Sequence, residues 1–385
     1  MATTIVSGVQ YSGIWTMQQV NSAIAAGTWP AQPMPALFTW GLNDNGQSGL
    51  GNVTAYSSPK QVGLLTDWLT VTAGYKFTMA TKSNGTLWSW GRNNNGQLGL
   101  GNTTYMSSPN QIGALTNWSI ISGGRRHATA LKTDGSIWSW GNNFQGQLGL
   151  GNTTYYSSPK QIGALYTWAT ISSGGYFNLA IKTDGTLWSW GDNGNGELGL
   201  GNTTYYSSPK QVGALTAWLS VAGGGYHSIA TKTDGTIWTW GKNTQGQLGD
   251  GTTTNRSSPV QIGVLTNWSK ISGGASYTLS VKTDGTLWSW GRNNAGQCGL
   301  GVTTYYSSPK QVGALTGWLI ASGGKYTSTS AIKTNGTLWV WGSGANGGLG
   351  LGNTTNYSSP KQLGALTSWS QSAVGQNSMV AIASV

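Results

Sequence analysis

Few side chains in this 385-residue protein are of a type that could carry out chemistry. There are two histidines, His127 and His227, and one cysteine, Cys298, which is too few for a disulfide framework or a cysteine-rich metal site. Asp44, Asp192, Glu197 and Asp250 are acidic residues outside the repeated hairpin turn. They fall in three separate parts of the chain, and none stands at a catalytic spacing from a histidine. We therefore expect no enzyme activity, no cofactor and no metal.

The composition indicates a folded, basic protein. The sequence contains 61 Gly, 22 Trp and 16 Tyr, only 8% of its residues are charged, and the net charge is +11. Disordered chains lack large aromatic residues, so a packed core is expected. No apolar run is long enough to span a membrane, and the N-terminus has neither the basic nor the apolar region of a signal peptide. The sequence predicts synthesis in the cytoplasm without membrane insertion.

Internal repeats dominate the sequence. The motif W-S-W-G, or a close variant, ends at Gly41, Gly91, Gly141, Gly191, Gly241, Gly291 and Gly342. A second tryptophan series falls at Trp68, Trp118, Trp168, Trp218, Trp268, Trp318 and Trp369. Both series have a period of 50 residues, except for one interval of 51, and we place the extra residue within Lys325–Ala331.

Each repeat reads as about four short strands. Apolar segments are separated by Gly, Pro, Asp-Gly and Asn-Gly, and no segment has a helical period. Asp-Gly pairs such as Asp134-Gly135 are typical of two-residue hairpin turns, which need positive φ angles. The spacing G-Q-L-G-L-G indicates a tight loop in which a Cβ atom would clash. The fold class is therefore all-β.

The ends of the chain predict a closed ring. The repeat region begins at Pro35, one step after the point in the repeat where it stops at Val385. The fragment 36–41 supplies the strand that the fragment 378–383 lacks, and a blade built from both termini removes the exposed edges. We predict a seven-bladed β-propeller over residues 35–385, preceded by a separate N-terminal segment, residues 1–34.

The motif L-W-S-W-G-x-N-x-x-G-Q-L-G-L-G followed by S-S-P resembles the repeat of the regulator-of-chromosome-condensation family, which is itself a seven-bladed propeller. The resemblance covers residues 35–385. It implies the fold. Some members of that family exchange guanine nucleotides and contact chromatin through a projecting loop and acidic surface residues. This chain has no insertion longer than one residue and only nine acidic residues, so the resemblance does not extend to that activity.

The segment 1–34 has no repeat character. Thr16-Met17-Gln18-Gln19 fits a helix capping box, Met17, Val20 and Ile24 would share one stripe of a short helix, and Gly27 would end it. A helix this short must dock on something, either the propeller or an assembly. The stretch from Gly13 to Pro30 is similar to N-terminal segments of bacteriophage virion proteins. We take Trp15, Met17, Val20, Ile24 and Trp29 as a candidate anchor.

The loops after Gly-Gly and after W-G fall on one face of the predicted propeller and vary from repeat to repeat. The candidate binding residues on this face are Tyr75, Lys76, Phe77, Arg125, Arg126, His127, Tyr176, Phe177, Tyr226, His227, Tyr277, Lys325 and Tyr326. Aromatic residues and arginine supply contact area at low entropic cost. A rigid scaffold that presents a binding surface varies in this way. Neutral drift at exposed positions would give the same pattern.

Lysines recur in two series, after S-S-P and before the hairpin turn. Their spread around the ring predicts a solvated surface rather than a nucleic-acid groove, so no nucleic-acid partner is expected. The leading hypothesis is a non-enzymatic bacteriophage virion protein: a fibre, receptor-binding or decoration head. Its partners would be virion proteins, through residues 1–34, and host-surface glycan, through the loops, within an oligomeric particle. The alternatives are a cellular protein-interaction propeller and, behind it, a chromatin- or GTPase-binding one.

Overall fold

A computed structural model describes residues 4–6, 9–11, 18, 34–64 and 66–385. In the N-terminal part, β1 (Thr4–Val6) pairs antiparallel with β2 (Val9–Tyr11). Of the helix predicted after Thr16, only Gln18 is described, and it is helical. The candidate anchor residues lie outside the described residues, so the anchor stays a prediction. Pro35–Ser384 form one compact unit.

This unit consists of seven four-stranded antiparallel sheets, the blades of a propeller. Six blades use consecutive strands: blade I β5–β8, blade II β9–β12, blade III β13–β16, blade IV β17–β20, blade V β21–β24 and blade VI β25–β28. The seventh has the order β29-β30-β3-β4. The strands are β3 (Pro35–Gly41), β4 (Tyr56–Gln61), β5 (Trp68–Ala73), β6 (Phe77–Lys82), β7 (Leu87–Gly91), β8 (Met106–Gln111), β9 (Trp118–Gly123), β10 (His127–Lys132), β11 (Ile137–Gly141), β12 (Tyr156–Gln161), β13 (Trp168–Ser173), β14 (Phe177–Lys182), β15 (Leu187–Gly191), β16 (Tyr206–Gln211), β17 (Trp218–Gly223), β18 (His227–Lys232), β19 (Ile237–Gly241), β20 (Arg256–Gln261), β21 (Trp268–Gly273), β22 (Tyr277–Lys282), β23 (Leu287–Gly291), β24 (Tyr306–Gln311), β25 (Trp318–Gly323), β26 (Ser328–Lys333), β27 (Leu338–Gly342), β28 (Tyr357–Gln362), β29 (Trp369–Val374) and β30 (Ser378–Ser384), with one 3₁₀ turn, Ala345–Gly347.

The seventh blade closes the ring with strands from both ends of the repeat region, which confirms the predicted shared blade. β3 pairs with β30 along its whole length, from Pro35 opposite Ser384 to Gly41 opposite Ser378. In the other blades an Asn-Gly or Asp-Gly turn joins these two strands covalently. Closure therefore depends on backbone hydrogen bonds and on packing of the N-terminal strand, because no covalent link joins the two strands.

The tryptophan triplets explain the repeat motif. In blade I, Trp68 lies edge-on to both Trp88 and Trp90, with ring centroids 6.1 and 6.0 Å apart. Trp90 is fully buried, and its indole N–H donates to the backbone oxygen of Gln47 in the preceding blade. In the next pair of blades, a Cβ atom on Gly99 would lie 2.8 Å from the Trp140 indole nitrogen. The loop glycines are therefore required because the next blade's tryptophan packs directly on them.

The lysines before the hairpin turns are not the solvated ring that was expected. The Lys132 ammonium lies 3.9 Å from the centre of the Trp138 ring and 4.9 Å from that of Trp118. The same stacking on two tryptophans occurs at Lys82, Lys182, Lys232, Lys282 and Lys333. The expectation was wrong for this series because the aliphatic stems cover the tryptophans and the ring faces attract the charges.

Candidate binding site

The strand order places two kinds of loop on each end of the propeller. The connections between the first and second strands and between the third and fourth strands of a blade form what we call the loop face. The two-residue hairpin turns and the links between blades form the opposite end, the turn face. The variable residues identified in the sequence all follow first strands or begin second strands, so they belong to the loop face or to the layer directly beneath it.

Five of the candidate binding residues are buried and cannot meet a partner. They are Phe77, His127, Phe177, His227 and Tyr277, each at most 1% exposed. Each begins the second strand of its blade, and its ring covers a loop glycine: a Cβ atom on Gly124 would lie 2.2 Å from the His127 ring. Their assignment to a binding surface is therefore wrong. They fill the interface between neighbouring blades.

The two histidines illustrate this interface. His127 Nε2 lies 3.2 Å from Asn178 Oδ1, and His227 Nε2 lies 2.9 Å from Thr278 Oγ1, in each case across to the following blade. Burial lowers the pKa of His127 to about 4 and that of His227 to about 3. Both imidazoles are therefore neutral near pH 7, and each donates its Nε2 proton to its partner. This is a packing role.

The exposed parts of the same loops converge on a cavity of about 180 Å³, which we call the axial cup. Six blades contribute to its wall, so it lies where the propeller axis meets the loop face. The lining combines large side chains with small residues. The lining consists of Tyr75, Arg125, Gly175, Gly225, Tyr226, Ala275, Ser276, Arg292, Lys325 and Tyr326. Five of the predicted residues are thus brought together: Tyr75, Arg125, Tyr226, Lys325 and Tyr326.

Arg125 is held in place by three tyrosines. Its guanidinium carbon lies 4.8 Å from the centre of the Tyr75 ring and 5.7 Å from that of Tyr176. Its Nη1 donates a 3.0 Å hydrogen bond to the Tyr226 hydroxyl oxygen, which belongs to the blade two positions further on. A planar guanidinium that is stacked and hydrogen-bonded loses little further freedom when it binds a ligand.

Lys325 lies in the loop that carries the one-residue insertion. The loop between Gly323 and Ser328 is one residue longer than its counterparts, within the range predicted from the repeat spacing. The Lys325 side chain reaches across the axis, and its Nζ lies 3.5 Å from the backbone oxygen of Ser173. Burial lowers the pKa of its ammonium to about 8. The group keeps its charge near pH 7.

Backbone hydrogen bonds between successive loops make the rim of the cup rigid. Arg125 N donates to Gly175 O (3.0 Å) and Gly225 N donates to Gly274 O (3.1 Å). The pattern continues with Gly175 N to Gly224 O, Ala275 N to Gly324 O and Gln376 N to Tyr75 O. A Cβ atom on Gly175 would lie 2.2 Å from Gly225 O, so the small residues are needed for this close approach. Sequence reasoning missed them as wall residues because they carry no functional group.

The remaining predicted residues lie outside the cup lining. Lys76 forms an ion pair with Asp44, and Tyr176 supplies one of the rings that flank Arg125. Arg126 is partly buried. Arg292, which follows W-G in its repeat, lines the cup although it was not among the predicted site residues. The sequence did contain a signal for Arg292, since the loops between third and fourth strands also vary and lie on the same face.

Beneath the cup, the innermost strands enclose an axial channel of about 250 Å³. Small residues such as Ser122, Gly223 and Ser272 line it, and Lys325 lines both the channel and the cup. The Lys325 ammonium therefore lies where the two cavities meet. Short side chains at the axis leave room for this one long side chain to cross it.

Glu197, one of the acidic residues considered for catalysis, is held inside a loop. Glu197 is fully buried and its carboxylate accepts hydrogen bonds from Asn195 N (2.8 Å) and Asn195 Nδ2 (2.6 Å). Burial raises the pKa of Glu197, and nearby Asp192 adds to the effect. Among the residues that the structure describes, no group of three or more His, Cys, Asp and Glu side chains could hold a metal ion. Within the same residues, no helix is long and apolar enough to span a membrane.

Comparison with known families agrees with the repeat pattern. The model of the regulator of chromosome condensation (RCC1) repeat matches seven stretches: 36–81, 84–131, 134–181, 184–231, 234–281, 284–329 and 335–382. The chain belongs to the RCC1-repeat family. A second RCC1-repeat model matches five stretches between residues 69 and 297. These matches begin at residue 36 and do not cover residues 1–34, so the resemblance of that segment to virion proteins stays a prediction. No curated protein matches the chain.

Several solved structures share the fold. Human WBSCR16 has a TM-score of 0.82 at 22% identity, covering 91% of this chain and 98% of that one. Yeast RCC1 (Prp20) bound to Kap60 has a TM-score of 0.81 at 19% identity, covering 92% and 89%. Prp20p from Saccharomyces cerevisiae, described with its binding to Gsp1p and histones, has 0.80 at 19%, covering 92% of each chain. At these identities the similarity shows the seven-bladed fold alone.

Proposed function

We propose that this RCC1-repeat propeller is a non-enzymatic protein-interaction module that binds a partner through its loop face, centred on the axial cup. The observation that carries the proposal is the Arg125 guanidinium, stacked by Tyr75 and Tyr176 and hydrogen-bonded to Tyr226. Arginine and tyrosine dominate the energetics of protein interfaces, and they do so where their conformations are fixed before binding.

Three further features support binding rather than catalysis. The histidines are buried and neutral, so no exposed imidazole is available as a general base. The carboxylates of Asp192 and Glu197 are buried in a loop of blade III. The yeast neighbour Prp20 is described as binding Kap60, Gsp1p and histones, which are properties of that protein. We extend to this chain only the general role of binding a protein.

The virion assignment, with virion proteins bound by residues 1–34 and host-surface glycan bound by the loops, stays a prediction. It rests on the N-terminal resemblance, which falls outside both the described residues and the family matches. The loop face could bind a partner in a virion or in a cell, because the cup is built entirely from the propeller.

Site-specific photo-crosslinking tests the proposal. Benzoylphenylalanine replaces Tyr326, which lines the cup, or Tyr166, which is exposed on the turn face as a matched control. Partners captured from cells that make the protein are then purified and titrated against it. We expect crosslinks from position 326 and not from position 166. We also expect a loss of roughly thirty-fold or more in affinity for Tyr226→Ala, since interface hot spots contribute about 2 kcal/mol or more. Crosslinks from position 166 alone would contradict the assignment of the loop face.

A further inference from the structure

The axial cup concentrates positive charge without any counter-charge. Arg125, Arg292 and Lys325 line it, and no acidic side chain does. The three ion pairs of the described residues use other cations: Lys76 with Asp44, Lys82 with Asp67, and Arg256 with Asp250. All nine acidic residues of the chain are among those described. The charge of the cup is therefore uncompensated by the protein.

The donors of Arg125 are only partly used. A guanidinium has five N–H donors in a fixed plane, and the Tyr226 hydroxyl takes one of them. The guanidinium carbon lies over the rings of Tyr75 and Tyr176, and the N–H donors that Tyr226 does not use point outward in the guanidinium plane. An oxygen pair that approaches the edge therefore meets oriented donors, which is the arrangement that binds carboxylate and phosphate groups in a bidentate manner.

Lys325 supplies a second charge close to the axis. Its ammonium has three N–H donors, and a backbone oxygen 3.5 Å away is at the outer limit of a hydrogen bond. No other acceptor contacts its Nζ among the described residues. An ammonium that is partly withdrawn from water without an anion is energetically unfavourable, and an anion beside it would offset that cost.

We propose that the axial cup is an oxyanion-binding site, in which Arg125 and Lys325 together bind one carboxylate or phosphate group. The cup's volume of about 180 Å³ admits one such group with the carbon atoms that carry it. Gly175, Gly225 and Ala275 leave the space, and the tyrosine rings contact the carbon atoms. This inference deepens the proposed function. It rests on that function in one respect: the natural source of the oxyanion is an acidic side chain of the partner. A free small anion is the other source of the same chemistry.

The test uses the full-length chain without any partner, so its result is independent of whether the loop face binds a protein. The probes are sodium acetate, inorganic phosphate, and the tripeptides N-acetyl-Gly-Glu-Gly-amide and N-acetyl-Gly-Gln-Gly-amide. Binding is followed by NMR chemical shifts of ¹³C-labelled tyrosine rings at pH 7 in a buffer free of oxyanions. Tyr226→Phe assigns the signal closest to Arg125. The variants are Arg125→Gln and Lys325→Met, with Arg92→Gln as the matched control.

Arg92 is a suitable control because it occupies the same position in its repeat as Arg292 but does not line the cup. We expect saturable shifts with acetate, phosphate and the glutamate tripeptide, and none with the glutamine tripeptide. Each cup variant should weaken binding at least ten-fold, while Arg92→Gln leaves it unchanged. Tighter binding of the glutamate tripeptide than of acetate and phosphate supports a partner's side chain as the source, and the reverse supports a free anion.

Two results would overturn the oxyanion site. One is the absence of saturable shifts with every anionic probe. The other is an equal loss of affinity in Arg92→Gln and in the two cup variants, since that would reflect the overall charge of the protein rather than a built site. Thermal unfolding of each variant establishes that it is folded. If anions fail to bind but a partner still crosslinks at position 326, only the oxyanion site is refuted and the proposed function stands.

Discussion

Acidification should destabilise the propeller through two buried imidazoles. His127 and His227 have pKa values of about 4 and about 3 in the folded chain, because burial disfavours their charged forms. In the unfolded chain they return to the ordinary histidine value of about 6.5. The unfolded state therefore binds more protons below that pH. The free energy of unfolding is therefore highest above pH 6.5, where the histidines are neutral in both states. It decreases as the pH falls from 6.5 toward the pKa values of the folded state.

The size of the effect follows from the difference between the pH of the solution and the histidine pKa in the unfolded chain. At pH 5 the solution lies about 1.5 units below the ordinary histidine pKa, and each unit corresponds to about 1.36 kcal/mol. Both folded pKa values lie below pH 5, so the folded imidazoles remain neutral there. Each histidine then lowers the free energy of unfolding by about 2 kcal/mol between pH 7.5 and pH 5, and the pair by about 4 kcal/mol.

Other blades of the same chain show which residues can replace the histidines to remove this pH dependence of stability. At the repeat positions of His127 and Asn178 the next blades have Phe177 and Ser228, and the Ser228 hydroxyl donates to Glu197 O. The pair His127→Phe and Asn178→Ser reproduces that arrangement. His227→Phe is compatible with Thr278, whose hydroxyl already donates to Gln247 O.

The measurement is urea unfolding of the wild type and the triple variant, followed by tryptophan fluorescence at pH 7.5 and pH 5. We expect the loss in free energy of unfolding to be smaller in the variant by about 4 kcal/mol. Aspartates with lowered pKa values titrate mainly below pH 5 and are the same in both proteins. An identical pH dependence in the two proteins would refute the reasoning, because it would mean that the imidazoles are not held neutral by the fold.

Three further predictions concern packing and closure. Deletion of 35–40 should abolish cooperative thermal unfolding or cause aggregation in size-exclusion chromatography, and a monomer with an unchanged melting temperature would contradict the shared blade. Glu197→Gln should raise the free energy of unfolding at pH 7 by about 1 kcal/mol, because it removes the charge of a buried carboxyl group whose pKa is raised. No gain is expected at pH 3.5, where the carboxyl group is protonated in both the folded and the unfolded state. Gly99→Ala should cost about 2–4 kcal/mol, because its Cβ would meet the Trp140 indole, whereas Gly113→Ala, at a similar positive φ but in open space, should cost about 1–2 kcal/mol.

The fold was predictable because its signals repeat. A fixed period, turn residues at constant positions and the complementary chain ends determine the strand number, the alternation of loops and the closure of the ring. The location of the inserted residue was also within reach, since the spacing of Trp318 and Trp339 places it between them and the predicted range Lys325–Ala331 overlaps the longer loop.

The burial of the second-strand residues was not predictable by the same reasoning. Phe, His, Tyr and Ser alternate at this position, so its polarity gives no period, and its place after Gly-Gly is typical of an exposed loop. What decides the outcome is the contact of each ring with a glycine and with the next blade, which depends on tertiary structure. Likewise, the lysines before the turns looked solvated because the stacking of each lysine on two tryptophans depends on how the strands of a blade pack, which the sequence does not show.

The variation among repeats now separates into two kinds. Beneath the loop face, the varying residue is matched to a partner in the following blade: His127 faces Asn178, His227 faces Thr278, and the Tyr277 hydroxyl donates to Ser328 O. Complementary packing explains this variation without reference to any ligand.

At the loop tips, the varying residues also make contacts that reach beyond the next blade. Arg125 bonds Tyr226 two blades away, and Lys325 crosses the axis to Ser173. Contacts across the axis do not hold adjacent blades together, and a lysine or arginine without a carboxylate is a poor choice for stability alone. Drift would be expected to leave such positions with small or polar residues directed to solvent. Convergence of charge and aromatic rings on one small cavity is therefore the feature of this propeller that packing does not explain, and a bound anion does.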